Sequence, residues 1–522
     1  MAEGRALWDL IESRAAETPD GCLAADDRGR QVSFSEYRRT ALRAAAGLGA
    51  LGVGEGTNVS WQLPTWIEAM VLEAALARLG AVQNPLIPSY RAREVGFIVQ
   101  QTAARLLIVP PVWRQFDFAA MAADIAAGAP GLDVLVVDPD THPLPEADPA
   151  GLGARAETAP NDDDLAVRWL FYTSGTTADP KGARHTDATI GATVPGICRM
   201  AWPGPGDRIS IVFPFAHIGG AAWLFAALTT GATLLLAESF DPATTIPMLA
   251  AEGVTLAGTG TPFNLAYLAA QRSLDAERPG TRLFPQVRLF MSGASPKPPQ
   301  LHYDLKNEMG GVGIASSYGL TECPILSASS RADTDDTLAT TEGTASPGVT
   351  IKVVSADGEP VDPGVEGEIR VRGPMMLKGY VDEALNEAGF DEEGFLRTGD
   401  LGSVDGGGFL TITGRLKDVI IRKGENISAK EVEDLLYGHP KVADVAVIGL
   451  PDAASGERAC AVVALKAGVE NLDFAEMQDY LRARGLRTVA LPEQLEIIGE
   501  VPRNTSGKIR KDVLKSRYGS DG

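Results

Sequence analysis

Leu170-Phe171-Tyr172-Thr173-Ser174-Gly175-Thr176-Thr177-Ala178-Asp179-Pro180-Lys181-Gly182 decides how the rest of the chain is read. The largely apolar run Leu165–Tyr172 predicts a buried strand. It empties into a loop carrying the hydroxyls of Thr173, Ser174, Thr176 and Thr177. Gly175 lets the backbone turn tightly, so successive N–H groups and hydroxyls can face one concavity. With the Lys181 cation this makes a phosphate cradle. The same residues also read as a hydroxyl-rich turn between a strand and a helix. A Walker A loop needs Gly-Lys-Ser/Thr opening a helix. Here Pro180 precedes Lys181 and Gly182 follows it, so a P-loop kinase is disfavoured.

Toward the N-terminus, predicted strands and helices alternate. The strands are Val59–Leu63, Ala81–Pro85, Leu106–Val109 and Val134–Val137. The helices run from Pro64 to about Leu79, near Arg93–Gln101 and near Phe116–Ile125. Such alternation argues for βαβ units on a parallel sheet. The segment Asp138–Asp164, rich in Pro, Ala and acids, reads as a linker. A second alternating block follows, with strands Ile209–Phe213, Thr233–Leu236, Val254–Ala257 and Val287–Met291. After about Thr341 come short strands Ile351–Val354, Glu368–Val371 and Phe409–Thr413, as in a small β-barrel or β-layer. A last unit mixes strands Val419–Ile421, Val445–Ile448 and Ala461–Leu465 with helices Ala429–Tyr437 and Phe474–Arg482. The expected fold is α/β. A large N-terminal domain, 1–416, holds two doubly wound α/β subdomains (about 1–160 and 161–340) and a small β-barrel (341–416). A small α+β C-terminal domain, 417–522, follows.

Composition excludes several classes. A length of 522 residues suits three or four domain-sized units, and 45% hydrophobic residues give ample core. The net charge of −21 argues against a nucleic-acid partner, which needs a basic face. Cys22, Cys198, Cys323 and Cys460 form no CxxC pair, so neither a zinc site nor a disulfide framework is read from them. A reducing compartment is the simplest inference. The first residues are amphipathic and acidic without an apolar signal core, and a cytoplasmic location is expected. Residues 209–237 contain no Asp, Glu, Lys or Arg, a length that suggests a membrane span. Pro214, Gly219-Gly220 and Gly231 interrupt it, so strand, helix and strand in a core are predicted instead.

Further turns carry chemistry. Ser292-Gly293-Ala294-Ser295 and Ser317-Tyr318-Gly319-Leu320-Thr321-Glu322 both end predicted strands, where a doubly wound sheet gathers ligands. Gly293 and Gly319 allow a flat base to approach the backbone, and Tyr318 can stack on it. Thr321 can donate to a phosphate. Glu322 can hold Mg²⁺ by one carboxylate, as is usual beside nucleotides. The plain alternative is a tight turn with a capping Glu. Thr398-Gly399-Asp400 offers a carboxylate to two ribose hydroxyls, or is an exposed turn. Pro214–Gly220 sets His217, one of five histidines, before two glycines, and a lone His is more often a core residue. Pro502–Ile509 is a polar, basic loop holding Lys508; most such runs are surface.

In order and spacing these motifs resemble those of the adenylate-forming superfamily: acyl-CoA synthetases, peptide-synthetase adenylation domains and firefly-type luciferases. The resemblance covers essentially the whole chain. It implies that Thr173, Ser174, Gly175, Thr176, Thr177 and Lys181 bind phosphate, with Ala178 where these enzymes usually have Gly. It implies an ATP/AMP site that also uses Gly293, Ala294, Ser317, Tyr318, Gly319 and Thr321, with Mg²⁺ at Glu322. Asp400 would bind ribose, Arg415 would contact ribose or phosphate, and Lys417 would be a hinge. Lys508 would reach the α-phosphate and the acyl carboxylate, and the residues after Lys417 would form a mobile lid. Lys508, Thr321, Glu322 and His217 are the catalytic candidates, His217 matching an aromatic or His gate beside the acyl carboxylate. An acyl pocket is expected among His217, Gly258, Thr259 and Gly260. Ala216 stands where amino-acid-selecting domains carry an Asp, which disfavours an α-amino acid substrate. Gly424 would let pantetheine pass the backbone, and Lys423 either meets a CoA phosphate or is a plain surface Lys.

The implied enzyme is an ATP-dependent acyl-CoA synthetase. A carboxylate attacks the α-phosphate and releases pyrophosphate; the CoA thiol then releases AMP. Both steps need positioning and charge stabilisation more than a protein nucleophile. ATP, CoA and a carboxylic acid are the expected ligands, and a homodimer is allowed. Asn84–Arg91 and Arg422–Leu435 look most like bacterial ligases of ring-bearing acids, such as cyclohexane carboxylates, steroid fragments and terpenoid acids. Val212–Gly220 and Ala257–Phe263 are apolar or small, which suits a nonpolar acid. Three rivals stand beside this. An acyl-AMP ligase feeding a carrier protein usually has an insertion near the hinge, whereas Lys417 runs directly into Asp418-Val419-Ile420. The others are a luciferase-like oxidase and a catalytically silent nucleotide-binding protein; Lys508, Glu322 and Asp400 speak against the silent protein.

Overall fold

Strand Leu106–Val109 is buried at every position, as its unbroken apolar sequence requires of a strand covered on both faces. It lies in a six-stranded sheet of order Lys181–His185, Trp169–Thr173, Val82–Pro85, Asn58–Trp61, Leu106–Val109, Asp133–Val136. All its ladders are parallel except the edge pair Lys181–His185 with Trp169–Thr173. The computed structural model describes residues 5–153, 166–173, 179–293, 297–423, 425–452, 455–504 and 507–519.

A nine-stranded sheet follows the order Thr344–Ala345, Cys323–Ala328, Ile314–Leu320, Leu289–Ser292, Leu256–Gly258, Arg208–Ile211, Thr233–Leu236, Cys22–Asp26, Gln31–Ser33. Its strands from Ile314–Leu320 to Cys22–Asp26 are parallel. Sheet membership does not follow the expected division at 160/161. The N-terminal strands Cys22–Asp26 and Gln31–Ser33 join the second sheet, and residues 169–185 join the first. Between the sheets lie helices Ile67–Leu79 and Ile218–Thr230, whose buried residues run around the whole helix. Their side chains share one core with Val59 and Trp61 of one sheet and Ile209 and Leu234 of the other. The charge-free stretch 209–237 is thus strand, helix and strand. No helix among the described residues is long and apolar enough to cross a membrane.

The expected linker is partly a packed strap. Ala147 N–H donates to the Arg43 carbonyl at 3.1 Å, Leu144 is buried, and the Pro145 backbone lies against Gly47 of helix Phe34–Ala50. In place of a closed barrel, strands Thr350–Val354, Gly367–Arg372, Leu396–Val404 and Leu410–Arg415 form an open antiparallel meander. It is laced to the nine-stranded sheet through Glu342 N–H to the Leu410 carbonyl, 2.7 Å, and the Thr344–Phe409 bridge. The C-terminal unit is a five-stranded sheet around the long hairpin Val442–Asp452 and Gly456–Leu465. Helices Ala429–Tyr437 and Phe474–Ala483 supply one core of this unit, and helix Lys511–Tyr518 supplies Leu514 to another.

Candidate active site

The parallel strands of the nine-stranded sheet deliver their carboxyl ends to one edge. Leu256–Gly258 leads into Thr259-Gly260, Leu289–Ser292 into Gly293, and Ile314–Leu320 into Thr321-Glu322. Thr321 and Glu322 are the tip of an antiparallel hairpin whose return strand is Cys323–Ala328. That tip is held from behind. His185 Nε2 donates to the Thr321 carbonyl at 2.8 Å, and Leu377 N–H donates to the Glu322 carbonyl at 2.8 Å. The Tyr380 hydroxyl donates to Glu322 Oε1 at 3.1 Å.

The phosphate-loop candidate joins two antiparallel strands. Thr173 is directly paired with Lys181, so the loop closes a hairpin and does not lead into a helix. Lys181 is exposed at the start of the return strand. Ser174, Gly175, Thr176 and Thr177 lie outside the described residues, as do Ala294 and Gly424.

Asp400 pairs across the meander with Arg415. Its Oδ1 accepts from Arg415 Nε at 2.7 Å and its Oδ2 from the Tyr318 hydroxyl at 2.5 Å. A carboxylate offers about four acceptor positions, so these two donors leave about two unfilled. The same hydrogen bond ties the Tyr318 ring to the meander. Burial and the Asp400 charge push the Tyr318 hydroxyl well above its ordinary pKa, so it stays a donor.

His217 is the N-cap of helix Ile218–Thr230, and its Nδ1 accepts from Gly219 N–H at 3.1 Å. That contact leaves Nε2 as the proton-bearing nitrogen. Burial, with help from the Lys508 charge, lowers its pKa to about 4, so the ring is neutral at pH 7. Phe213 stands edge-on to it, centroids 6.3 Å apart. Gly258 and Gly260 both have positive φ, +146° and +140°, and a Cβ on Gly258 would lie 2.4 Å from the Met291 carbonyl oxygen. Glycine is therefore required there by the backbone, whatever the ligand.

Lys508 reaches this edge from the C-terminal unit. Its N–H donates to Asn504 Oδ1 at 2.9 Å, Arg503 bridges from Asp444 at 2.8 Å to the Gly507 carbonyl at 2.7 Å, and Gly507 abuts Pro262 at the start of helix Thr261–Glu277. The Lys508 side chain stays open to the cleft by surface area. Surrounding protein is nonetheless dense enough to lower its pKa through burial, aided by Arg415 and Lys417 and opposed by Asp400 and Glu322. His217, Glu322, Asp400, Arg415 and Lys508 are thus electrostatic neighbours around one cleft. Lys417 sits in an exposed 3₁₀ turn, Leu416–Asp418, between the two units. Lys423 is not brought to the cleft. It tops the hairpin Ile420–Arg422/Glu425–Ile427, near the Arg422–Glu493 ion pair.

Residues 11–381 match the family model described as AMP-binding enzyme, and residues 431–508 match the AMP-binding enzyme C-terminal domain. The chain belongs to the AMP-binding enzyme family. Medium-chain fatty-acid–CoA ligase of Escherichia coli (strain K12) is 32% identical over 525 residues, covering 98% of this chain and 90% of that one. Salicyl-AMP ligase / salicyl-S-ArCP synthetase of Mycobacterium tuberculosis is 35% identical over 535 residues, covering 99% and 91%. ATP-bound MatB from Rhodopseudomonas palustris superposes with a TM-score of 0.86 at 27% identity, covering 99% of each chain. This AMP-binding enzyme is an adenylate-forming acid–thiol ligase of the acyl-CoA and aryl-CoA synthetase superfamily.

Two contacts of this AMP-binding enzyme were not expected from sequence. His185 and Tyr380 both brace the Thr321-Glu322 tip, and neither lies in a motif quoted above. The available signal was Lys378-Gly379-Tyr380, where an aromatic follows a glycine with φ of +90°.

Proposed function

We propose that this enzyme converts a nonpolar, ring-bearing carboxylic acid to its acyl adenylate and then to its CoA thioester. The reading is carried by the seating of Lys508, from the C-terminal unit, among Glu322, Asp400, Arg415 and His217. The acid's carboxylate oxygen forms a bond to the α-phosphorus of ATP as the α–β bridging P–O bond breaks, and pyrophosphate leaves. The CoA sulfur then bonds to the acyl carbon, AMP leaves, and the thiol proton goes to solvent. Lys508 neutralises charge on the α-phosphate and the carboxylate. Asp400 holds the ribose, with Arg415 and Tyr318 fixing its carboxylate. Neutral His217 gates the acyl carboxylate without adding charge.

The described residues place no three His, Cys, Asp or Glu side chains together for a metal. Glu322 offers one carboxylate, which suits a Mg²⁺ that keeps its waters and leans on nucleotide phosphates. Mg²⁺ held there would screen the phosphate charge. The unpaired thiols of Cys22, Cys198, Cys323 and Cys460 fit a reducing cytoplasm.

The charge-free segments around His217 and Thr259 support a nonpolar acid. CoA is favoured over a carrier protein because only the three-residue turn Leu416–Asp418 and Val419 separate Arg415 from strand Ile420–Arg422. The carrier reading is kept as the second because one relative is named for an ArCP product. The test is pyrophosphate release over a panel of carboxylic acids, with thioester detected by mass spectrometry. Ring-bearing acids should show the highest kcat/KM, with CoA thioester formed without any carrier protein. Preference for straight-chain acids would overturn the substrate class, and acyl adenylate without CoA thioester would overturn the acceptor.

A further inference from the structure

Glu322 stands at a hairpin tip, where a Glu side chain would ordinarily sample several rotamers. Here its Oε1 accepts from the Tyr380 hydroxyl at 3.1 Å, and its carbonyl accepts from Leu377 N–H at 2.8 Å. Tyr380 is itself 5% exposed and packs with Ala183, Leu377, Ile369 and Leu396. That packing asks only for the ring; a phenylalanine would serve it equally. The hydroxyl has one partner of consequence, the Glu322 carboxylate.

Tyr380 is also tied to the phosphate-loop hairpin. The segment around it runs along the return strand Lys181–His185 as an added, short ladder. Lys378 N–H donates to the Arg184 carbonyl at 2.7 Å, Arg184 N–H to the Gly379 carbonyl at 3.0 Å, and Val381 N–H to the Gly182 carbonyl at 2.8 Å. Ala183 and Tyr380 form the bridge pair at its centre. Three residues before Ala183 begins the stretch that ends the phosphate loop, at Pro180 and Lys181. A chain of short contacts therefore leads from the phosphate loop, through Tyr380, to the Glu322 carboxylate.

We propose that Tyr380 is a positioning residue for the metal–nucleotide complex, holding the Glu322 carboxylate in register with strand Lys181–His185. Its hydroxyl donates to Oε1, and the carboxylate so oriented would hold the cation that accompanies the nucleotide phosphates. The inference rests on the nucleotide reading above.

The test is calorimetric titration of ATP with the acid withheld, so that nothing turns over. Wild type, Tyr380→Phe, Glu322→Gln and the double variant are each titrated in Mg²⁺ and in EDTA. In Mg²⁺, Tyr380→Phe should bind ATP about tenfold more weakly, the low end for loss of an outer partner of a metal ligand. In EDTA its affinity should match wild type. The double variant should be no weaker than Glu322→Gln alone, because Tyr380 acts through that carboxylate. Equal losses in Mg²⁺ and EDTA, or additive losses in the double variant, would make Tyr380 a packing residue and overturn the proposal. Absence of ATP binding by wild type in both conditions would instead remove the nucleotide reading on which it stands.

Discussion

Asp400 and Arg415 face one another across neighbouring antiparallel strands, with Nε 2.7 Å from Oδ1. The carboxylate is 4% exposed and the guanidinium 38%, so the Arg415 cation is the more open member of the pair. Tyr318 completes the arrangement from the nine-stranded sheet. One carboxylate thus joins the meander, the sheet edge and the Tyr318 ring.

Asp400→Ala should therefore weaken AMP binding by more than the lost ribose contact. It leaves the Tyr318 hydroxyl and Arg415 without their acceptor, at ~1–3 kcal/mol for an orphaned group, or roughly 5–150-fold in Kd. Calorimetric titration with AMP measures this. Unaltered affinity would make Asp400 a turn residue only.

Lys508→Ala should slow pyrophosphate release by ~10²–10³, the usual loss for one preorganised charge-stabilising group. Conversion of supplied acyl adenylate and CoA to thioester should be spared. Lys417→Pro, in the exposed turn between the units, should impair one half-reaction more than the other, because such junctions absorb large φ/ψ changes. Purified acyl adenylate separates the two halves. Equal slowing of both by Lys508→Ala would count against a lid that acts in one step.

Acid should destabilise the fold through His185. Burial lowers its pKa to about 4, and the ring is sealed from solvent. The unfolded residue titrates near 6.5 and so binds a proton that the folded one refuses. This contribution to stability is complete above pH ~6.5 and is lost as the pH falls toward 4, up to about 3 kcal/mol. Thermal melts from pH 7 to 4.5 should show a steeper decline for wild type than for His185→Gln. Parallel curves would mean that His185 does not carry the slope.

The acyl pocket is best probed at Thr259. Gly258 and Gly260 are confined to positive φ, so enlarging either would strain the backbone before it touched a ligand. Thr259 is half-buried between them and has no such constraint. Thr259→Trp should raise KM for a bulky acid roughly 5–150-fold, the expectation for overpacking a pocket by ~1–3 kcal/mol. KM for ATP should hold. Unchanged acid kinetics would move the pocket elsewhere.

Sequence made the parallel strands legible, because Leu106–Val109 is apolar throughout, Thr233–Leu236 is apolar after its first residue, and both are buried at each position. It hid Lys181–His185, where Lys-Gly-Ala-Arg-His carries no strand pattern; that strand exists because Trp169–Thr173 offers it a full ladder. Asp400, Arg415 and Lys508 were visible through ordered motifs. The bracing by His185 and Tyr380 was not, since donors 136 and 58 residues from their acceptors leave no local sign of the pairing. The segment 138–153 looked like a linker because its contacts, too, are made with a distant helix.

The exchange of strands between the two sheets constrains how the molecule can be made. Ala24 pairs with Leu234, and Gln83 with Trp169, so the six-stranded sheet is complete only once His185 has left the ribosome, and the nine-stranded sheet only once Ala345 has. Loop-closure entropy must be met before such non-local pairings give any return, which makes folding slow. Until then the unpaired edges of both sheets are exposed to aggregation. Cutting the chain near residue 160 would thus produce two pieces that each lack strands held by the other, and they should become soluble only when produced together.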